Sequence, residues 1–220
     1  RRKGVFMADE RSRAAKRAAT LPGAGLRPAQ RARYLRIIDS AKELASEGGY
    51  DAVQMRAVAE RSEVALGTVY RYFPSKNQLL VVAMVMQFEE VGDRFAGVDL
   101  PGATEHERVM SALRASVARL ESDPSLYDAL VRAVMFADAS SAPELDRLGA
   151  VLTGLFAKAA GHEDLSEEML TAVRIIADVW MSSLVSWAAG RQSADEVIDH
   201  MDTAVRLVFD RLDAARRRAS

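Results

Sequence analysis

The chain has 220 residues, no cysteine, 49% hydrophobic residues and a formal net charge of −1, from 30 Lys and Arg against 31 Asp and Glu. That length supports one sizeable core or two modest ones, and the lack of cysteine excludes disulfides and thiolate metal sites, as suits a reducing cytoplasm. No uninterrupted apolar run reaches the ~18–20 residues that a membrane span needs, and no apolar signal core opens the chain, so a cytoplasmic protein with no membrane partner is expected.

The near-zero balance hides an uneven distribution. Arg1, Arg2, Lys3, Arg11, Arg13, Lys16, Arg17, Arg27, Arg31, Arg33 and Arg36 face only Asp9 and Glu10, so residues 1–27 read as a basic arm ahead of an acidic remainder. Such an arm either follows a DNA backbone or minor groove, or is a solubilising tail, and both readings stay open. Met7 is a candidate start, with residues 1–6 open between native and added sequence. From residue 28 the pattern is helical throughout, without alternating strand segments or an internal repeat. The first helix is expected over 28–47, with Tyr34, Ile37, Ile38, Ala41 and Leu44 on one face and Gly48-Gly49 as its stop.

Residues 55–76, MRAVAERSEVALGTVYRYFPSK, encode two short helices across a tight turn. Met55, Val58 and Ala59 recur at i, i+3 and i+4 and face a core, whereas Arg56, Glu60 and Arg61 face away. Ser62, Glu63 and Val64 make the turn, Val64 plugging the angle between the helices; the second helix is expected over 65–73, ended by Pro74. Its outward chemistry is that of a recognition helix in a major groove. Leu66, Gly67 and Thr68 are placed for base edges or thymine methyls, and Tyr70, Arg71 and Tyr72 for phosphate oxygens, with a guanine edge as the alternative for Arg71. Gln54 and Arg56 join this DNA-facing set. Ser75-Lys76-Asn77-Gln78 has the S-x-x-Q form of a capping box, so a new helix is expected at once, its N-terminus and Lys76 meeting a DNA phosphate. Any movement of that helix then reaches the DNA-reading unit.

Across roughly residues 31–80 this pattern resembles the TetR family of bacterial transcription regulators, whose signature is met by Val58-Ala59, by Gly67-Thr68-Val69-Tyr70-Arg71-Tyr72-Phe73 and by Ser75-Lys76 with Leu79. Two departures stand out. The family's Thr or Ser near the start of the first short helix is Gln54 or Met55 here, leaving Gln54 as the candidate cap, and its turn glycine is Glu63.

The linker 97–102 is the clearest irregular stretch after the DNA-binding unit. Beyond the helix expected from Ser75 to about residue 95, Thr104-x-x-Glu107 caps a helix to 120, Asp123-Pro124 starts one to about 137, and Ser141-Ala-Pro-Glu144 starts one to 160. Ser166 opens a helix ending near Gly190, and Ser193-x-x-Glu196 opens the last, which reaches Arg216-Arg217-Arg218. These last two helices carry broad apolar faces, Met169, Val173, Ile176, Ala177, Trp180, Leu184 and Trp187 on one and Val197, Met201, Ala204, Val205, Val208 and Leu212 on the other. A second copy packed on them makes a homodimer with two reading heads ~34–36 Å apart. The expected fold is thus all-α, with a basic arm over 1–27, a three-helix helix-turn-helix domain over 28–75 and a larger helical ligand-binding and dimerisation domain over 76–220.

A pocket between the middle helices has as candidate lining Met84, Phe88, Met110, Leu113, Leu130, Val134, Met135, Trp180, Leu184 and Trp187. Individually such residues are more often ordinary core; together, flexible Met and two Trp suit a large apolar effector, whether a sterol skeleton, a fatty acyl chain or a multidrug compound. The segments RAVMFADASSAPELDRL and RIIADVWMSSLVSWAAGR resemble the actinobacterial regulators of cholesterol catabolism. That resemblance implies a repressor of sterol-degradation genes, released from double-stranded operator DNA by a coenzyme A thioester of a steroid-derived acid.

Other chemistry finds little support. His106, His162 and His200 have no i, i+4 histidine partner, and His162-Glu163-Asp164 reads as a solvated loop, so no metal and no bound cofactor are expected. Arg174 and Asp178 form an i, i+4 pair, with Asp178 beside Trp180 as a candidate to orient a ligand polar group. No G-x-S-x-G, G-x-G-x-x-G or Walker motif is present, so catalysis is not expected. A helical protein-interaction adaptor remains the alternative class, one that leaves residues 68–72 without a role.

Overall fold

The computed structural model describes residues 23, 25–94, 100–162 and 166–219; most of the basic arm, residues 97–99 of the expected linker and Glu163-Asp164 lie outside the described residues. Among these, nine α-helices and no strand are found: α1 Pro28–Ala52, α2 Met55–Arg61, α3 Leu66–Tyr72, α4 Lys76–Arg94, α5 Glu105–Ser122, α6 Pro124–Met135, α7 Ala142–Ala160, α8 Glu167–Ala188 and α9 Ala194–Ala219. The all-α reading therefore holds.

Helix α1 buries Tyr34, Ile37, Ile38, Ala41, Leu44 and Ala45, and each fully buried aliphatic side chain contributes about 1.5–3 kcal/mol. Its regular part ends where expected. Gly48 has φ −152° and Gly49 has φ 67° with ψ −161°, a combination open essentially to glycine, and a Cβ at Gly48 would stand 2.7 Å from that of Ala52. The chain then makes a further turn to Ala52, which the sequence reading did not foresee.

Helix α4 is the spine. Leu79 to Val85 are buried in an unbroken run, as are Gln87, Phe88 and Val91, because α1, α6 and α7 all pack around it. A helix apolar on every side is a core helix. It starts just after α3, so the DNA-reading unit and the C-terminal bundle share one rigid element. Helices α5, α6, α7, α8 and α9 complete the bundle, α8 lying between α7 and α9 and α9 also packing on α5.

Most of the expected caps form. Thr104 and Glu107 make a reciprocal capping box for α5, Asp123 accepts Leu126 N–H for α6, Ser166 accepts Met169 N–H for α8, and Ser193 and Glu196 form the box for α9. Two expected caps are corrected. Ser75 Oγ accepts Gln78 N–H at 3.1 Å, but the Gln78 side chain leaves the cap to donate to Glu144 Oε1 at 2.8 Å, so only half the box closes. Ser141 makes no cap bond; it ends a 3₁₀ turn, Ala139–Ser141, which Asp138 caps through Ser140 N–H.

The apolar faces of α8 and α9 are also reassigned. Val173, Ile176, Trp180 and Leu184, with Val197, Met201, Val205 and Leu212, are buried within the single chain, because α7 and α5 flank the pair and consume those faces. The outward apolar positions are instead Ile175, 46% exposed, and Leu207, 65% exposed. Arg174 and Asp178 are exposed and form no ion pair among the described residues, so Asp178 points away from the interior that holds Trp180. Among the described residues α8 alone has the length and hydropathy of a membrane span, but here it is a core helix.

Candidate nucleic-acid interface and effector cavity

The turn between α2 and α3 brings the reading helix into place. Val64 is 7% exposed and plugs the interhelical angle, its N–H donating to Ala59 O at 3.0 Å. Glu63 occupies the left-handed region at φ 54° and is the only non-glycine among the described residues to do so, which explains why a glycine fits this position. In α3 only Val69 is buried. Leu66 and Tyr70 are exposed, and a Cβ at Gly67 would meet nothing within 4 Å, so the start of α3 can approach another surface closely.

Gln54, Arg56, Leu66, Tyr70 and Lys76 come together on one open cleft, which Met55, Pro74 and Ser75 complete. Arg71 is exposed but does not line this cleft, and Thr68 is half-buried. Several roles change in detail. Gln54 does not cap α2; its Nε2 donates back to Asp51 O at 2.9 Å. Arg56 pairs with Glu60 at 3.3 Å across an exposed surface. Tyr72 turns inward, its ring meeting Tyr34 edge-on at 5.7 Å and its hydroxyl donating to Gln30 O at 3.5 Å, so it braces α3 against α1 more than it offers a phosphate contact. Phe73, 1% exposed, stacks on Tyr34 beside it. Lys76 is drawn over the Tyr50 ring, 3.8 Å from its centroid, and donates to Tyr50 O.

Sequence reasoning missed the hinge behind this cleft. Asn77, at the start of α4, accepts the Tyr50 hydroxyl proton and donates through Nδ2 to Phe136 O at 2.9 Å. One amide thus ties the end of α1, the start of α4 and the end of α6. Gln78 ties α4 to Glu144 of α7, and Arg147 of α7 pairs with Glu89 of α4. Burial drives the nearby Tyr34 phenol far above its ordinary range. A polar pair directly after Ser75-Lys76 was the visible signal, but its partners are 27, 59 and 66 residues away.

In the bundle, the ten candidate lining residues separate. Met84, Met110, Leu113, Leu130 and Leu184 are fully packed core. Val134 and Trp187 are half-buried, and Met135 is 49% exposed at the end of α6. Phe88 and Trp180 line an interior cavity of about 10 Å³, together with the apolar Val91 and Leu120 and the polar Gln87, Ser116, Arg119 and Tyr127. These four polar residues were not singled out, because each reads as ordinary helix surface until four helices converge on it.

No group of three or more His, Cys, Asp or Glu side chains that could hold a metal ion is found among the described residues. His106 Nε2 lies 3.0 Å from Asp202 Oδ1, close enough for an ion pair but off the hydrogen-bonding direction. His162 pairs with Glu105 at 2.8 Å rather than standing in solvent, and His200 is exposed.

The chain matches the family of bacterial regulatory proteins of the tetR type over residues 37–83 and the tetracyclin repressor-like C-terminal domain over residues 102–208. It is 46% identical over 189 residues, 86% of this chain and 87% of the relative, to the HTH-type transcriptional repressor KstR of Rhodococcus jostii. The chain belongs to the TetR family. It is accordingly a transcriptional regulator, and the KstR relatives, 41–46% identical to it, are named repressors. The TetR transcriptional regulator of Rhodococcus sp. RHA1, 34% identical, superposes with a TM-score of 0.74 over 81% of this chain and 96% of that one. Thermus thermophilus FadR, a TetR-family repressor solved with lauroyl-CoA, shares the TetR fold at 17% identity, with a TM-score of 0.64 over 80% of this chain and 93% of that one. The TetR N-terminal match ends inside α4, the helix that runs from the DNA-reading unit into the bundle.

Proposed function

We propose that the protein is a homodimeric repressor that holds operator DNA through α3 and releases it when a hydrophobic acyl-CoA, of the steroid-acid class, enters the bundle between α4, α5, α6 and α8. The observation that carries the DNA half is the outward surface of α3, where Leu66, Gly67, Tyr70 and Arg71 are exposed beside a cleft holding Gln54, Arg56 and Lys76. Small and hydrogen-bonding residues stand at the leading end and donors behind it, the order in which a major-groove helix meets bases and then phosphates. Ile175 and Leu207 supply the uncovered apolar points of α8 and α9 for a second copy. Such a regulator works in the cytoplasm, on chromosomal DNA.

The steroid class rests on the likeness of residues 132–148 and 174–191 to regulators of cholesterol catabolism, and on an identity to a KstR repressor that runs through the ligand domain. An acyl-CoA is compatible with the fold, since Thermus FadR holds lauroyl-CoA. Release follows from the shared spine. An effector that displaces α4 also displaces Asn77 and the cap beside α3, which changes the spacing of the two heads. Shifting the bound fraction from 99:1 to 1:99 requires the effector to favour the released state by about 5.5 kcal/mol.

The test is binding of the purified chain to the DNA upstream of its own gene at two salt concentrations, with and without a steroid-acid coenzyme A thioester. Salt-sensitive, sequence-preferring binding is expected, with release by the thioester and not by free coenzyme A. Release by lauroyl-CoA in its place replaces the steroid class with a fatty acyl one; absence of sequence-preferring binding removes the regulator reading and returns the adaptor.

A further inference from the structure

The interior cavity has more hydrogen-bonding chemistry than a hydrocarbon ligand needs. Gln87 is 5% exposed, and its Oε1 has no hydrogen-bond partner among the described residues. Leaving a buried acceptor unpaired costs more than a made hydrogen bond returns, so such a group in a packed core calls for a reason. Across the cavity Tyr127, also 5% exposed, accepts Arg119 Nε–H at 3.4 Å, which leaves its own phenol proton to be donated. Arg119 has no carboxylate partner among the described residues. Phe88 and Trp180 close the apolar side. The volume, about 10 Å³, accommodates one oxygen-sized group and no more.

We propose that this notch is the specificity seat of the effector site, in which Gln87 and Tyr127, with Arg119 behind them, hold a single oxygen at the leading end of an otherwise apolar ligand. This deepens the effector reading given above and rests on it. A ligand hydroxyl satisfies both residues as they stand, donating to Gln87 Oε1 and accepting from Tyr127; a ketone accepts from Tyr127 and from Gln87 Nε2 once the amide turns. A plain methyl-terminated chain satisfies neither and leaves the amide oxygen unpaired. The notch therefore discriminates an oxygenated ring system from a fatty acyl tail, because a site built around hydrogen bonds rejects the analogue that lacks them far more strongly than an apolar pocket rejects a change of size. The rest of the ligand takes the place of Phe88 and Trp180, which must turn aside to admit it.

The experiment compares, by calorimetry on the full chain, a steroid-acid coenzyme A thioester that carries a ring hydroxyl with its ring-deoxygenated counterpart. The oxygenated form is expected to bind at least about tenfold more tightly. That ratio is expected to fall to near one in Gln87→Leu and several-fold in Tyr127→Phe. A variant that merely folds poorly lowers both affinities and keeps the ratio, so an unchanged ratio in Gln87→Leu, or equal binding of the two thioesters to the natural sequence, overturns the proposal. Operator release measured on the same preparations separates it from the broader reading. Release by both thioesters alike overturns the oxygen seat and leaves the steroid-acid effector standing; release by neither removes the oxygen seat and the steroid class together.

Discussion

Replacing Asn77 by alanine is the sharpest probe of how the DNA-reading head is joined to the bundle. The substitution deletes two hydrogen bonds at once, the one received from the Tyr50 hydroxyl and the one given to Phe136 O. Each is worth about 1 kcal/mol net, and because Asn77 and Tyr50 are only partly buried, water recovers some of it, leaving an expected loss of about 1–2 kcal/mol. Tyr50→Phe removes just the first bond and is expected to cost about 0.5–1 kcal/mol, since the ring and its contact with Lys76 remain. The two substitutions break the same bond, so the double variant is expected to fall short of the sum by about 0.5–1 kcal/mol. Urea denaturation of the four proteins measures all three quantities. The same set, titrated with operator DNA in the presence and absence of effector, is expected to show a weaker effect of effector on DNA affinity, because the amide no longer ties α6 to the start of α4. An additive cycle, or an Asn77→Ala variant with stability within about 0.3 kcal/mol of the natural sequence, refutes the hinge.

Two further expectations concern the turn and the charged surface. Glu63 pays the left-handed strain at φ 54°, about 1 kcal/mol or more for a residue with a Cβ, so Glu63→Gly is expected to be neutral or stabilising by up to about 1 kcal/mol after the entropy of the unfolded glycine, while Glu63→Val destabilises; the reverse order in chemical denaturation sinks the account. Hydrogen bonds hold several carboxylates below their ordinary values, Glu47 through Arg61, Asp138 through Ser140, Glu196 through Ser193 and Asp202 through Arg206. Groups depressed on folding contribute stability that is present above the unfolded values of 4.5 for Glu and 3.8 for Asp and is lost as pH falls through the lower folded values. Stability is therefore expected to decline gently below about pH 4.5, and a rise on acidification from pH 5 to pH 3 contradicts it.

Some of this protein was readable one helix at a time. The caps at Thr104, Asp123, Ser166 and Ser193, the break at Gly48-Gly49 and the turn plugged by Val64 each depend on residues within four or five positions of one another, so the sequence alone determined an all-α chain with a helix-turn-helix and its chain order. Apolar periodicity likewise marked α8 and α9 as helices with a buried face, but periodicity says only that a face is covered and not by what. The tertiary structure decided that Val173, Trp180, Val197 and Met201 are covered by the chain itself and that Ile175 and Leu207 are left outward. It also decided which polar residues matter. Tyr72 and Lys76 turn toward the chain's own Tyr34 and Tyr50, Asn77 finds Phe136 from 59 residues away, and Gln87 meets Tyr127 and Trp180 only where α4, α6 and α8 converge. A side chain's local pattern fixes its helix and its face, whereas its partners are fixed by how helices distant in sequence pack, and the chemistry of both the hinge and the cavity lies in those partners.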